Sequence, residues 1–295
     1  MPVQLDEIMQ NPPGISIRKM RALDLAFAAS STAGEGWVSE NLSALETFFL
    51  KDPLGCLLAE EGGQPVGICI ATFYGKSGFI GELIVRPDAR GRGVGSVLLS
   101  YGVSFLKSKG VQTIYLDGVL KAVALYERNG FHKVCRSWRF TGNLTGVANA
   151  STRRMIVNDQ EQVFALDILA FGEDRSFYLR RRFELFPELS YVMFDGERMI
   201  GYILGRGGED WLSAGPWVTT PGTGNPLDLL NAFAIEARGR TISLGVLDTN
   251  RLACAQVQSL DFQAREDSPW RMAMGKVCDL GTSPRCFAIG SAAKG

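Results

Sequence analysis

Histidine is almost missing from this chain: among 295 residues, His132 alone carries an imidazole. Its six cysteines, Cys56, Cys69, Cys135, Cys254, Cys278 and Cys286, are scattered with no C-x-x-C spacing. Zinc centres draw on clustered cysteine and histidine, so no metal site is expected. A Ser-His-acid triad needs a histidine base, and His132 follows the Gly130-Phe131 turn, where a strand-edge residue is expected. Most cysteines fall in apolar strand or helix contexts and read as buried free thiols in a reducing compartment. No apolar run approaches the roughly 18 residues of a membrane span. Lys+Arg and Asp+Glu are equal at 31 each, so no basic surplus points to nucleic acid or an anionic membrane. Met1 to Gly14 lacks the basic-then-apolar pattern of a secretory leader and reads as a polar lead-in. A cytoplasmic protein, monomer or homodimer, is expected. Its chemistry must rest on carboxylates, tyrosine, backbone groups and a co-substrate.

Apolar residues make up 46% and charged residues 21%, an ordinary globular composition, and the length fits two domains. The most informative stretch is Arg90-Gly91-Arg92-Gly93-Val94-Gly95. It lies between an apolar strand, Phe79 to Val85, and a helical pattern of Val94, Leu98, Leu99, Val103, Phe105 and Leu106 that stops at Gly110. Glycines that bare backbone N–H groups at a helix start make an anion seat, strengthened by the helix dipole and flanking arginines. A Walker loop would need a closing Lys-Ser/Thr pair, which is missing. A dinucleotide fingerprint starting at Gly91 and Gly93 fails at its third glycine, where Ser96 stands. The spacing that fits is R/Q-x-x-G-x-G/A, met by Arg90, Gly93 and Gly95. On these six residues alone, a phosphate seat and a tight strand–helix turn are equally good readings.

The surroundings separate them. Leu83-x-Val85-x-Pro87-x-x-Arg90-Gly91-x-Gly93-x-Gly95 is followed by Tyr115-Leu116-Asp117 at a strand end and by Ala122-Val123-Ala124-Leu125-Tyr126-Glu127-Arg128-Asn129-Gly130-Phe131. Over residues 15–140 this order resembles the GCN5-related N-acetyltransferases, the GNAT superfamily, down to an A-x-x-L-Y-E-x-x-G-F signature. The elements read as strand 15–20, helices 21–50, strands 56–60, 65–74 and 78–85, helix 93–109, strand 111–117, helix 119–129 and strand 131–140. The expected fold is α/β (α+β in some schemes), a mixed and largely antiparallel sheet flanked by helices.

The resemblance implies an acetyl-CoA-dependent N-acetyltransferase acting on a small amine or a protein amino group. In such a site the fourth and fifth strands splay apart and the pantetheine arm lies between them. Backbone groups of Leu83, Ile84 and Val85 would hold the arm, and the loop from Arg90 through Gly91, Arg92, Gly93, Val94, Gly95 and Ser96 would hold the pyrophosphate. Tyr126 would protonate the leaving thiolate, since a phenol near pKa 10 can serve a thiol of about 8.5. The amine must lose a proton, for which Glu82 and Asp117 are the candidates. Glu82 points to the face opposite Leu83 and Val85; its plain reading is a solvated strand charge. The plain reading of Asp117 is a cap on the helix starting near Val119. Many members carry Asn where this chain has Val119, a difference of one hydrogen bond to the arm, roughly 1 kcal/mol. Upstream, Trp37, Phe48 and Phe49 with Glu35, Glu40 or Glu46 fit a cation pocket, and a solvated amphipathic helix fits them more commonly. A non-catalytic acyl-CoA sensor and a transferase using another acyl donor are the alternative functions.

Residues 141–154 read as a linker, and the chain beyond it echoes the first half. Leu116-Asp117 aligns with Leu247-Asp248, Phe131 with Phe262, and Pro65-Val66-Gly67-Ile68 with Met199-Ile200-Gly201-Tyr202. Leu83-Ile84-Val85 falls on Pro216-Trp217-Val218, so Glu82 falls on Gly215. A duplicated domain is the economical account, 1–145 and 146–295. Arg90, Gly93 and Gly95 correspond to Thr223, Pro226 and Asp228, and Tyr126 to Val257. Proline offers a phosphate no N–H, and an aspartate at a helix start repels it. The second copy is therefore expected to be degenerate, resembling the divergent C-terminal domain of tandem acetyltransferases, and to serve as a platform or a wall of the acceptor site.

Overall fold

The computed structural model describes residues 11–37, 40–277, 280–292 and 294–295. Cys278 and most of the proposed lead-in lie outside the described residues. The first half runs β1 (Ile15–Lys19), α1 (Leu25–Gly34), α2 (Leu42–Lys51), β2 (Cys56–Glu61), β3 (Gln64–Phe73), β4 (Ser77–Val85), α3 (Val94–Ser108), β5 (Thr113–Gly118), α4 (Val123–Arg128) and β6 (His132–Gly142). The second half runs β7 (Thr152–Arg154), α5 (Gln160–Phe171), α6 (Ser176–Leu185), β8 (Tyr191–Asp195), β9 (Arg198–Gly207), β10 (Trp211–Thr219), α7 (Leu227–Ala234), β11 (Thr241–Leu247), α8 (Arg251–Gln258), β12 (Gln263–Ala264), β13 (Trp270–Gly275) and β14 (Cys286–Ala288). Gly62 and Gly63, with φ of 56° and 76°, make the tight turn that joins β2 to β3. Asn41 caps α2 by accepting from the Ala44 N–H at 3.2 Å, and Asn250 caps α8 through Ala253 at 3.0 Å. The stretch read as a linker is shorter than expected, because Thr141 and Gly142 finish β6 and Thr152 to Arg154 form β7.

All strands belong to one mixed, mostly antiparallel sheet, ordered β1-β2-β3-β4-β5-β13-β6-β11-β10-β9-β8-β7. The two halves interleave within it. β13, from the second half, pairs antiparallel with both β5 and β6, while β6, from the first half, pairs with β11. One apolar core lies under β3 and α3 and holds Val66, Ile80, Leu98 and Leu106. On the opposite face a second core crosses the halves and joins Leu45 and Phe48 of α2 to Leu179 and Phe183 of α6 and to Tyr202 and Leu204 of β9. Burying side chains of this size is worth about 1.5–3 kcal/mol each, so this shared core fastens the halves face to face.

The register corrects the internal alignment. Gly67 opposes Val85 and Ile68 opposes Ile84, just as Gly201 opposes Thr219 and Tyr202 opposes Val218. Leu83-Ile84-Val85 therefore matches Trp217-Val218-Thr219, one residue on from the expected match, and Glu82 matches Pro216 instead of Gly215. The second copy lacks this carboxylate in either register.

Candidate active site

The site begins with a defect in β4. Ile68 opposes Ile84 while Ile70 opposes Gly81, so β4 carries one extra residue against β3, a β-bulge. Glu82 sits in it with φ of +43°, a left-handed conformation that a side chain rarely adopts. The bulge bends β4 away from β5. Their parallel pairing covers only Ser77–Phe79 against Thr113–Tyr115 and then stops. Past that point Leu83, Ile84 and Val85 have no described pairing to β5, which leaves a slot in the ladder between the two strand ends.

Below the slot, Gly91 and Gly93 have φ of 74° and 85°, which only glycine adopts without strain. Gly93 is the N-cap of α3, and no side chain caps that helix. The first intrahelical bond described at this end is from the Val97 N–H to the Gly93 carbonyl at 3.1 Å, so the amides of Val94, Gly95 and Ser96 have no partner within the helix. A fifteen-residue helix thus ends in open N–H groups at the mouth of the slot. Arg90 donates through Nε to the Val85 carbonyl at 2.8 Å and through Nη2 to Glu35, which also accepts from Lys121 Nζ at 2.8 Å. Arg92 pairs with Glu61. Lys121, then Arg90, hold Glu35 below the usual glutamate range. These pairs are exposed, worth little, and readily exchanged for a phosphate.

Tyr126 lies on α4 on the α3 side of the sheet, its ring edge-on to Phe131 at 6.2 Å. A Cβ at Gly118 would stand 2.9 Å from Tyr126 Cδ2, so the end of β5 must be glycine for the ring to fit. Burial pushes its phenol well above 10, keeping it protonated at neutral pH. No hydrogen bond from its hydroxyl is found among the described residues.

Glu82 reaches the other face, into a buried cluster of charges. It accepts from Lys294 Nζ, which lies 3.9 Å from Glu40 and 4.4 Å above the Phe48 ring. Glu40 Oε1 accepts from Arg206 Nη2 at 2.7 Å and Ser291 Oγ at 2.9 Å. Glu82 Oε2 is buried and accepts no hydrogen bond among the described residues. Burial pushes the Glu82 carboxyl up to about 7, with Lys294 pulling down and Glu40 pushing further up. Burial would also raise Glu40, but Arg206 and Lys294 outweigh it and hold that carboxyl far below its usual range. Cys69 on β3 bridges the two faces, within electrostatic reach of Tyr126 on one side and of Glu82 and Lys294 on the other.

Asp117 is placed differently from its reading as a helix cap. Its side chain is fully buried at the end of β5, accepting from Ser137 Oγ at 2.8 Å and Arg139 Nη2 at 2.7 Å and from Arg271 Nε. It caps no helix: a short turn at Leu120–Ala122 precedes α4, and Val119, its N-cap, supplies no side-chain bond. Burial opposes ionisation, yet Arg271 and Arg139 hold the carboxyl below the usual aspartate range. Of the upstream residues, Phe48 and Glu40 join the Glu82 cluster, whereas Glu46 pairs with Arg181 at 3.2 Å and Glu35 faces the loop. Trp37 and Phe49 are partly buried against the shared core. Lys294 and Arg206 carried no local sequence signal, because each meets its carboxylate partner across more than 150 residues of chain.

The equivalent slot in the second half is filled. β10 and β11 pair over Trp211–Ala214 and Thr241–Leu244 and then part, and β14 enters the gap. Trp217 opposes Ala288, and the Ile289 N–H donates to the Gly245 carbonyl at 2.9 Å. Pro226 stands at the N-cap of α7, and Asp228 lies in its first turn.

Known proteins share this geometry. The acetyltransferase (GNAT) family model matches residues 21–131, and an acetyltransferase (GNAT) domain model matches residues 163–280. A mycothiol acetyltransferase of Geodermatophilus obscurus is 32% identical over 150 residues, covering 43% of this chain and 48% of that protein. A second, from Acidimicrobium ferrooxidans, is 37% identical over 114 residues, 36% of each chain. The match thus spans less than half the length of these curated relatives. Among solved structures, an acetyltransferase-like protein of Pyrococcus horikoshii superimposes over 98% of both chains with a TM-score of 0.80 at 22% identity. A tandem GNAT protein from the clavulanic acid biosynthesis pathway gives 0.64 at 15% identity, over 90% of this chain and 100% of that one.

Proposed function

Because the chain belongs to the acetyltransferase (GNAT) family, with one family domain matched in each half, we propose that it is an acetyl-CoA-dependent N-acetyltransferase with a single working site, in the first half. The domains divide near residue 145 along the chain while exchanging strands in the sheet. The observation that carries the proposal is the contrast between the copies. One has an uncapped helix N-terminus below an open slot, and the other has a proline and an aspartate there and a slot filled by β14.

The first-half residues suit acetyl-CoA. Open amides and displaceable arginines fit a pyrophosphate, and the free edge of β4 fits an extended, amide-bearing arm. When bound, acetyl-CoA supplies an acyl carbonyl activated as a thioester. Leu83, Ile84 and Val85 orient that arm, and Arg90 through Ser96 hold its phosphates. Glu82 takes the proton of the acceptor ammonium, and Tyr126 gives a proton to the departing sulfur. Proton acceptance is assigned to Glu82 in preference to Asp117, whose lone pairs are engaged by two arginines and a serine. The acceptor is a primary amine, and lysyl peptides and a mycothiol-type amine are the first to compare.

Gly95→Asp tests the seat. The new Cβ would lie 3.6 Å from Val85 Cγ2 and 3.7 Å from Leu125 Cδ2, ordinary contacts, so the fold should survive. The carboxylate, which Asp228 supplies in the second half, repels phosphate and competes for the amides. Losing two charge-assisted hydrogen bonds of about 1.5–3 kcal/mol each weakens acetyl-CoA binding by at least about 100-fold. Calorimetry on a variant with an unchanged melting point reads this; wild-type affinity would overturn the assignment.

The rate should also depend on Glu82 ionisation. Below about 7 this carboxyl is protonated and accepts nothing, so kcat/KM should rise with pH through that value and flatten in Glu82→Gln. The groups facing it are Lys294, Glu40 and, behind Glu40, Arg206, with Cys56, Cys69 and Tyr74 within reach. The linked stability has the opposite sign. Between its usual 4.5 and about 7 the folded state holds a proton that the unfolded chain has released, so this group's contribution falls as pH rises.

A further inference from the structure

Lys294 is 2% exposed, whereas the other eight lysines of the chain are exposed. Its main chain is held as firmly as its side chain. β14 is paired to β10, Tyr178 Oη donates to the Gly290 carbonyl at 2.7 Å, and the Gly290 N–H donates to the Gly295 oxygen at 3.0 Å. Tyr74 Oη then donates to the Lys294 carbonyl at 2.7 Å. Arg175 Nη1 donates to the Gly295 oxygen at 3.0 Å, and Asp167 braces that arginine through bonds of 2.9 and 2.8 Å. All these contacts aim one primary amine, on an unbranched alkyl stem, between Glu82, Glu40 and the face of Phe48.

A buried ammonium is tolerated only with full pairing, and two carboxylates and an aromatic face supply it here. The position matters more than the pairing. Glu82 is the residue that the bulge turns out of β4 where the slot opens, so the amine sits at the head of the slot on the group that would accept its proton. Glu82 Oε2 accepts no hydrogen bond among the described residues, which leaves it a lone pair for that proton.

Resting on the acyl-transfer reading above, we infer that Lys294 is a modification site of the chain's own making: its ε-amine is acetylated in cis at the first-half site. The lone pair of the Lys294 nitrogen forms a bond to the thioester carbonyl carbon, and the carbon–sulfur bond breaks with its electrons on sulfur. Glu82 first receives a proton from the ammonium, which frees that lone pair, and later passes it to solvent; the nitrogen sheds its second proton to solvent once the carbon–nitrogen bond has formed, and the sulfur receives one from Tyr126, which solvent restores. Net, the ammonium and acetyl-CoA become the N-acetyl-lysine side chain, free coenzyme A and one proton. No redox partner is needed. The product removes a positive charge from between two carboxylates, so acetylation loosens the turn that Lys294 anchors.

Two labels with opposite expectations test this on the full chain. Incubation with acetyl-CoA and no added amine should place the mass of one acetyl group on Lys294, read by peptide mass spectrometry, with the eight exposed lysines at background. A brief pulse of acetic anhydride without acetyl-CoA should label the exposed lysines and spare Lys294, because burial shields it. Glu82→Gln should reduce the acetyl-CoA-dependent label on Lys294 by about 100-fold or more. An unlabelled Lys294 where calorimetry shows acetyl-CoA bound overturns this inference alone. Absence of binding overturns the acetyl-CoA reading and this inference with it. Undiminished labelling in Glu82→Gln places the chemistry outside the pocket and also overturns it.

Discussion

Asp117→Ala should lower folding stability by about 3–5 kcal/mol, the cost of breaking a buried ion pair from one side. The carboxylate and the Arg271 guanidinium are both fully buried, and Arg139 is largely so. Arg271 Nη1 and Nη2 have no hydrogen bonds among the described residues, so its Nε bond to Asp117 is its anionic support. Without Asp117 a desolvated cation remains between β5 and β13. Urea unfolding reads the loss as a shift of midpoint, and Arg271→Met on the Asp117→Ala background should recover part of it, since the fully buried guanidinium is gone and only the partly exposed Arg139 is left without its carboxylate. A loss below about 1 kcal/mol would show that the cluster is hydrated and contributes like a surface pair. The contribution has a pH signature. The carboxyl is held low in the fold, so its stabilisation is present above the usual aspartate range and disappears as pH falls through the depressed value.

Tyr126→Phe should reduce kcat by about 10²–10⁴ while leaving acetyl-CoA affinity and melting temperature near wild type. The phenylalanine ring keeps the contacts with Phe131 and Gly118, and no hydrogen bond of the hydroxyl is lost among the described residues. Only the proton donor is removed. The deficit should be largest for acceptors whose turnover is limited by thiolate departure. Equal turnover with several amines would mean that solvent protonates the sulfur and that Tyr126 is a packing residue.

The first half was legible in unusual detail because its punctuation is local. Gly62-Gly63 marks a hairpin, Pro87 ends β4, Gly93 starts α3 and Gly110 follows its end, so the boundaries of the strands and of α3 from sequence fall within a residue or two of those observed, whereas α1 and α4 each begin four residues later than expected. The loop and Tyr126 were legible for the same reason. The interleaving was not. Nothing in Trp270 to Gly275 says that β13 will pair with β5, more than 150 residues upstream. The one-residue error in matching the copies has a cause as well. An ungapped comparison passes straight through a bulge, and β4 carries one at Glu82. Asp117 looked like a helix cap because its fully buried partner Arg271 is brought to it only by that strand exchange. The cation pocket around Glu40 was half visible, since its carboxylate lies in a helix-rich region but its lysine arrives from Lys294.

The placement of β13 between β5 and β6 imposes an order on synthesis. About 130 residues separate the end of β6 from the start of β13, some 6–26 seconds of translation at typical rates of about 5–20 residues per second. During that interval the first sheet has two edges without their final partner, Thr113–Gly118 and His132–Arg136, which β13 joins in the folded chain. A nascent chain in this state is open to misassembly with its neighbours on the same message, and β13 of one copy could close the sheet of another. Chaperone occupancy, not intrinsic folding speed, would then set the yield of correctly closed chains.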